Sequence, residues 1–530
     1  MKRTAITILL ILTAVCGYSQ SAYDGLIFSE NNYEGTARSV AMGNAFTALG
    51  GDLGAVTINP AGSAVARYSQ ISITPAISFT ASTAQGVSPF ESGTLPYFER
   101  KLKSRINRFN LPNIGMTFCW DTQRKTGLKN VSVGFVVNKT ASFDQDVYAA
   151  GMNTTTSFMG SLAYYTDGIS ADELNGTNAY NVAPWASVVG YQSGMISTFG
   201  GKNDQYVGAS EKIFSNGDIV LGGALDQTYG RRVTGSKYDY VFNVGGNISD
   251  FIYIGANLGM TSLNYNYDDY FKEAAVDPED FEVVLDNGQS IYFDNMKYRY
   301  SYQAEGTGYY AKFGVIVTPV KGLRLGAAIQ TPTINSINEI WQYAGETRFS
   351  STGYQASSPE GDFSYIFRAP YRANFGAAFT FGNHGVISAD YEMCDYSTME
   401  FRTNGADMNY FADLNEEIKR TFCTSHSIRI GAEARLGAYA ARIGYGITSS
   451  PEKHLAWANT KQNFSFGLGY SSKGSFYADI AARKNFITKE YYMPYSDYIF
   501  DDEGYIAEPT PELIIRKSDW KVLLTLGWRF

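Results

Sequence analysis

From Gln70 to Phe530 apolar and polar residues alternate with a period of two, the mark of strands that carry one apolar face. On the first run, Ile71, Ile73, Ile77 and Phe79 oppose Ser72, Thr74, Ala76 and Ser78, and Pro75 predicts a bulge or a poorly paired position. The second sets Ile114, Met116, Phe118 and Trp120 against Asn113, Gly115, Thr117 and Cys119. The third sets Val131, Val133, Phe135 and Val137 against Ser132, Gly134, Val136 and Asn138. Residues 141–236 lose the alternation and are rich in Gly, Asn, Ser and Tyr, which predicts a large external loop with room for a helix and a hairpin. Alternation resumes at Tyr238 and turns at Ser249-Asp250 into Ile252, Ile254, Ala256 and Leu258; an acidic loop is expected over 268–295. The rhythm continues to Val522, Leu524, Leu526, Trp528 and Phe530.

The links between these runs alternate between tight Gly/Asn/Ser turns and long loops. That asymmetry predicts an all-β fold, a closed transmembrane antiparallel barrel of about fourteen strands over residues 69–530, with short periplasmic turns and long extracellular loops. A soluble β-sandwich would have shorter strands and less lopsided loops. The terminal Phe530, with Trp528 two places before it, matches the signal read by the barrel-assembly machinery.

Composition agrees. The chain holds 53 Gly, 40 Tyr and 33 Phe, with only 18% charged residues, where a soluble enzyme would carry about a quarter. Beyond residue 20 no apolar run reaches the roughly 18 residues of a membrane helix. Residues 1–20 read as a secretory signal, with Lys2 and Arg3 ahead of the apolar stretch Ala5 to Val15 and cleavage expected between Gly17 and Ser21. Val15 before Cys16 is too large for a lipidation site. The expected location is therefore the outer membrane, in contact with its lipid. A net charge of −8 argues against nucleic acid as a partner. Of the cysteines that remain, Cys119, Cys394 and Cys423 are expected as free thiols or with one Cys394–Cys423 pair.

Between signal and barrel, residues 21–68 are too polar and glycine-rich to cross a membrane. The core of this stretch, Glu34 to Ala66, carries six glycines and ends in Asn59-Pro60-Ala61. Placed directly before a barrel, it reads as a plug folded inside the lumen. If the apolar set faces lipid, the lumen receives Arg324, Arg372, Asp390, Glu392, Arg429, Glu433, Arg435, Arg442, Asp479 and Arg483. Two readings stand: these charges hold plug to wall in pairs, or the arginines Arg324, Arg372, Arg429, Arg435 and Arg442 form a polar track for a substrate carboxylate. His384, His426 and His454 fall at no metal-binding spacing, and the sequence has no Walker loop and no G-x-S-x-G elbow. No cofactor, metal or catalytic residue is assigned, and the expected function is not enzymatic.

The stretch GTARSVAMGNAFTALGGDLGAVTINPAGSA, Gly35 to Ala64, resembles the N-terminal hatch of the FadL/TodX-type outer-membrane transporters of long-chain fatty acids and other hydrophobic compounds, with the hatch motif at Asn59, Pro60 and Ala61. The resemblance implies passive uptake: a fatty acid-like ligand is captured outside, enters an apolar pocket above the hatch and leaves sideways through a gap at a kinked third strand. Gly134 is the residue on that strand which would allow the kink, or it is an ordinary strand glycine. An alkyl chain gains about 0.8 kcal/mol per buried methylene, which favours the pocket over water. The alternative is a barrel of the same type that serves as a protein-secretion shuttle or attachment partner.

Overall fold

The computed structural model describes residues 20–87, 98–214, 218–285, 287–405, 409–455, 459–472, 475–501 and 503–530. The expected signal peptide, Gln20 excepted, lies outside the described residues.

Fourteen antiparallel strands close into a barrel. They are β1 (Gln70–Gly86), β2 (Leu102–Asp121), β3 (Leu128–Ser142, continuing as Gln145–Asn153), β4 (Leu225–Ile248), β5 (Ile252–Ala275), β6 (Ser290–Val320), β7 (Leu323–Gln330 and Ile334–Phe349), β8 (Gly361–Arg368 and Arg372–Thr380), β9 (Gly385–Asp395 and Glu400–Thr403), β10 (Thr424–Leu436), β11 (Tyr439–Thr448), β12 (Lys461–Ser471), β13 (Phe476–Tyr492) and β14 (Leu513–Arg529). The seam between β14 and β1 is paired from Gln70↔Arg529 to Gly86↔Leu513, so no edge is left open there. Outward positions are apolar and exposed, as Phe242 at 65% and Leu258 at 69% show, while inward Asn243 and Asn257 are buried at 1%. A closed barrel wearing an apolar band on its outside satisfies every backbone group internally and presents hydrocarbon to hydrocarbon, the requirement for spanning an outer membrane.

The strands outrun their alternation. β3 extends to Asn153 and β4 begins at Leu225, so the largest external segment is 154–224 rather than 141–236. Likewise β5 runs to Ala275 and β6 starts at Ser290, which places Asp268 and Asp269 on a strand rather than in a loop. The reason is common to both: beyond the bilayer the outer face meets water, so the pairing persists while the hydrophobic period does not. Cys119, Cys394 and Cys423 are free thiols, the first of the two expectations, and the alternative Cys394–Cys423 pair is not formed.

The described residues of segment 154–224 form a cap of α3 (Phe158–Thr166), α4 (Ala171–Asn175), α5 (Ala179–Val182), α6 (Trp185–Gln192) and two short hairpins; here α1 (Ala22–Ser29) and α2 (Ala37–Ala41) name the helices before the barrel. Ser157 caps α3 by accepting from Met159 and Gly160 N–H, and Ser170 with Glu173 forms a capping box on α4. The cap's apolar side packs on the strand tops, Met159, Leu162 and Val188 meeting Phe271, Tyr298 and Leu513. Tyr498 from the β13–β14 loop accepts from Ser157 N–H at 3.0 Å and ties that loop in.

Candidate functional site

The N-terminal segment lies inside the barrel in two parts. Residues 35–66 are compact and buried, built from α2 and two 3₁₀ turns, Gly54–Thr57 and Pro60–Val65. Gly50 and Gly51 reverse the chain at φ of 62° and 71°, a conformation that side chains with a Cβ resist. Asn59 caps the second turn, accepting from Ala61 N–H at 3.0 Å, and Pro60 sits in the first helical position, where its missing N–H costs nothing. The Asn59 amide then donates to Thr47 O at 2.6 Å within the hatch and to Val315 O of β6 at 3.2 Å. One side chain thus orders the plug and pins it to the wall. Asn243, Asn257 and Lys312 repeat the pattern from the wall side, donating to the carbonyls of Pro60, Val56 and Thr57 at 3.0, 2.9 and 2.8 Å.

A signal was missed on the wall. Inward glycines let hatch backbone rest directly against strands: a Cβ at Gly326 would strike Thr47 O, and one at Gly444 would strike Gly43 N. Glycine at inward positions of otherwise regular strands was the available clue.

The five arginines of the expected polar track are held in ion pairs or by hatch carbonyls. Arg324 donates to Leu49 O at 2.7 Å. Arg372 and Arg429 share Glu392 at 3.0 and 2.9 Å, and Arg372 also reaches Ser29 O. Arg442 bridges Glu433 at 2.6 Å and Asp479 at 2.5 Å, Arg435 joins the same Glu433, and Arg38 of the hatch meets it at 2.9 Å. Higher up, Lys521 and Arg483 hold Glu34. Burial alone would raise the Glu34 carboxyl, but Lys521, Lys139 and Arg483 outweigh it and hold it below its ordinary value. These contacts tie plug to wall, as the first of the two sequence readings has it for Arg324, Arg372 and Arg442, while the Arg435 side chain stays half exposed.

Gly134 is regularly paired on both sides, to Thr117 of β2 and to Asn243 of β4, so the third strand does not kink there. The departure comes higher. Pairing of β2 with β3 stops at Asn113↔Asn138, and β3 shifts register against β4 between Lys139 and Ala141. Pro112 follows on β2, without an N–H to give, and Pro75 of β1 sits in the register shift between Thr74 and Ala76. Pro112 thus stands where the β2–β3 ladder ends, one residue beyond Asn113, while Pro75 only shifts the β1–β2 ladder, which resumes at Ala76↔Asn110. The freed carbonyls of β3 are taken by the N-terminal segment: Asn32 N–H donates to Thr140 O at 2.6 Å and Glu34 N–H to Lys139 O at 3.1 Å. Arg108 and Asp144 face each other across the separation at 3.4 Å.

The other part of the N-terminal segment, α1, packs by Ala22 and Phe28 onto Val233, Leu263, Tyr302, Ile337 and Phe367 of the wall. Above the hatch, between α1, the cap and the opposite wall, lies a cavity of about 2040 Å³. Its lining includes Tyr265, Tyr267, Tyr300, Tyr302, Trp341 and Tyr343 on one side, Tyr180 and Trp185 of the cap at the rim, and Asn32, Glu34, Phe143 and Asp144 beside the β2/β3 separation. The cavity therefore reaches the place where the wall comes apart. Among the described residues no group of three or more His, Cys, Asp or Glu is placed to hold a metal ion.

No protein-family profile matches the chain, and no curated protein matches it. Solved structures do. A TodX deltaS2S3 mutant, a monoaromatic hydrocarbon channel, is similar over 93% of this chain and 99% of its own, at 11% identity and a TM-score of 0.50. A Pseudomonas aeruginosa FadL homologue covers 95% and 99% at 9% identity and a TM-score of 0.49, and the Ralstonia pickettii toluene transporter TbuX covers 94% and 99% at 13% identity and 0.46. With the hatch inside a closed fourteen-stranded wall, the chain has the fold of FadL/TodX-type outer-membrane barrels.

Proposed function

We propose that the protein is a passive outer-membrane transporter that admits hydrophobic or amphipathic small molecules, long-chain fatty acids among the candidates, and releases them sideways into the membrane. The observation that carries this reading is the continuity of one cavity with one wall separation above a plug that fills the lower lumen. A molecule in that cavity finds the direct path to the periplasm filled by the hatch. The lateral path is barred by the Arg108–Asp144 pair and the two backbone hydrogen bonds of Asn32 and Glu34, few contacts compared with those that tie the hatch to the wall. Lateral exit spares an apolar tail a return to water. Exchange of Asn32–Glu34 away from β3 would widen the separation, and the Asn59-Pro60-Ala61 turn would keep the plug seated meanwhile.

The test is uptake of a labelled hydrophobic probe into vesicles holding the purified barrel, with Arg108 and Asp144 replaced by cysteines and joined by a bifunctional thiol reagent. Uptake should stop on cross-linking and return when the link is cleaved. Unchanged uptake by the linked protein rules out the lateral route.

The cap of helices and hairpins built from residues 154–214 and 218–224 favours a second reading, a secretion-shuttle or attachment barrel that presents its outer surface to a protein. Native mass spectrometry of the barrel purified in a short-chain detergent separates the two: an apolar ligand travels with a transporter, a protein partner with a shuttle.

A further inference from the structure

The outer wall differs from one sector to another just above its apolar band. On β14, Trp528 and Trp520 bracket the outward apolar run, the places of the two aromatic girdles of an outer-membrane barrel. Trp520 stands level with Phe79 of β1 and Asn107 of β2. The next outward row up is Ser518, Ala81 and Arg105, and the one above it is Arg516, Thr83 and Lys103. Their neighbours fix the direction: Lys517 lines the cavity and Ser82 is buried at 2%, so Arg516, Thr83 and Lys103 point outward. Lys484 of β13 lies opposite Trp520, its ammonium 5.4 Å from the ring centroid. Lys489 stands opposite Arg516, where the edge of β13 also borders the cavity. Rows are about 7 Å apart along a tilted strand, so the cations begin at the head-group level and rise above it.

These cations stand without counter-charges. Among the described residues Lys103, Arg105, Lys489 and Arg516 have no ion-pair or hydrogen-bond partner, and Lys484 donates to a neutral one, Ser518 Oγ, at 3.2 Å. The carboxylates of the same four strands lie elsewhere. Glu490 and Asp519 are on the inward side, engaged by Arg231 at 2.7 Å and by Asn485 at 3.0 Å. Asp479 accepts from Arg442 deep in the lumen, and Asp121 ends β2 at the periplasmic side. Immediately above their apolar runs β5 and β6 are neutral or acidic instead, with the outward pairs Ser262↔Thr307, Asn264↔Glu305 and Asn266↔Gln303. Higher on that side Arg232 and Arg299 are held by Asp146 and Asp268.

Below the cations the same sector offers hydrocarbon contact. Ile77, Phe79 and Val522 are exposed outward, and Phe109 of β2 is exposed at 73%. Above Pro112, β2 pairs with β1 alone, so Phe109 and this edge of β2 border the separation from β3. The combination selects among occupants. A soluble phosphate or an acidic peptide would use the cations and not the apolar row beneath them, and a neutral lipid would do the reverse. A lipid with a phosphorylated head uses both, with charge-assisted hydrogen bonds above and acyl packing below. Arg516 and Lys103 are two strands apart, about 10 Å, a span that suits two phosphates on a sugar scaffold better than one phosphodiester. We propose that the outward face of β13, β14, β1 and β2 holds a phosphorylated glycolipid of the outer leaflet. Its phosphates sit on Arg516, Lys103 and Arg105 and its acyl chains on Phe79 and Phe109, where it flanks the β2/β3 separation. The assignment needs the outer-membrane location and not the transport reading.

The full processed chain in a neutral detergent is titrated with diphosphoryl lipid A and with its fully dephosphorylated form, and bound lipid is counted by native mass spectrometry. The diphosphoryl form should bind at least ~25-fold tighter. Lys103→Gln/Arg516→Gln should remove most of that margin, ~5-fold for each cation, whereas Arg232→Gln/Arg299→Gln on the other side should keep it. Equal binding of the two lipids overturns the assignment, as does a first double variant that binds like the parent or a second that loses as much. Displacement of the lipid by equimolar inorganic phosphate gives the cations to a free anion and overturns it too. A dimer that only the first double variant disperses gives the surface to a second copy, with the same result. Retained heat-modifiable migration on gels shows that the variants are folded. If the parent holds no lipid A but still takes up the hydrophobic probe, the assignment falls and the transport reading stands.

Discussion

The lower and upper halves of the lumen are built from the same inward strand positions and treat polar groups in opposite ways. Below, buried charges meet counter-charges or carbonyls, glycines let backbone touch backbone, and the hatch packs the space. Above, among the described residues, the hydroxyls of Tyr265, Tyr300 and Tyr343 and the indole N–H of Trp341 line about 2040 Å³ of open volume without a hydrogen-bond partner. A polar group committed to the protein holds structure, whereas one left facing a cavity is available to something else. The lower half is thus tied to the wall, whereas the upper half leaves polar groups facing open volume.

That contrast can be broken most directly at Glu433, whose side chain is fully buried between Arg38 and Arg442. Glu433→Gln leaves buried cations short of an anion and should cost about 3 kcal/mol, read as loss of hydrogen-exchange protection over residues 35–66. The equivalent loss in the upper half, Tyr343→Phe, should leave that protection unchanged; equal effects would erase the distinction between the two halves. Next in size is Asn59→Ala, which removes the donor to Thr47 and Val315 and should release the second turn by about 2 kcal/mol. Single-channel recording should then detect ion leakage that the parent lacks.

Smaller is the effect of Pro112→Val, which supplies the N–H that β2 lacks. The ladder to β3 should lengthen past Asn113↔Asn138, and probe uptake should slow a few-fold with no change in hatch protection. The smallest and most diagnostic effect is in pH. Burial pushes the Glu211 carboxyl in the cap up from 4.5 to about 7, against the backbone N–H of Gly208, which lowers it. The folded cap therefore holds that proton more tightly than the unfolded chain does, and its stability falls as pH climbs from 4.5 to about 7. Glu34 has the opposite sign: its carboxyl is held low, so its contribution to tying plug to wall is complete above the ordinary carboxylate range and is lost as pH falls below it. Limited proteolysis across pH should find the cap loosening on the alkaline side and the hatch on the acid side. Glu211→Gln should remove the cap's dependence alone.

Much of this was legible in the chain itself. A period of two over a membrane's thickness, with short turns on one side only, determines a closed barrel, because a strand buried in lipid has to be apolar outward and fully paired. Glycines around an Asn-Pro-Ala turn fixed the position of the plug, since Pro60 and the left-handed Gly50 and Gly51 dictate backbone locally. The tertiary structure alone decided the rest. Whether Arg372 or Arg442 faces a ligand or a carboxylate depends on residues far away in sequence, and charge pairing has no sequence period. The wall separation depends on where Pro112 of β2 falls against β3, whose pairing stops at Asn113↔Asn138, a register that neither strand reveals alone. The aromatic rows are likewise a product of pairing: Tyr267, Tyr302 and Trp341 are ordinary inward residues on separate strands until the register sets them side by side. Local patterns fix what each strand must be, and only the closed sheet fixes which side chains meet.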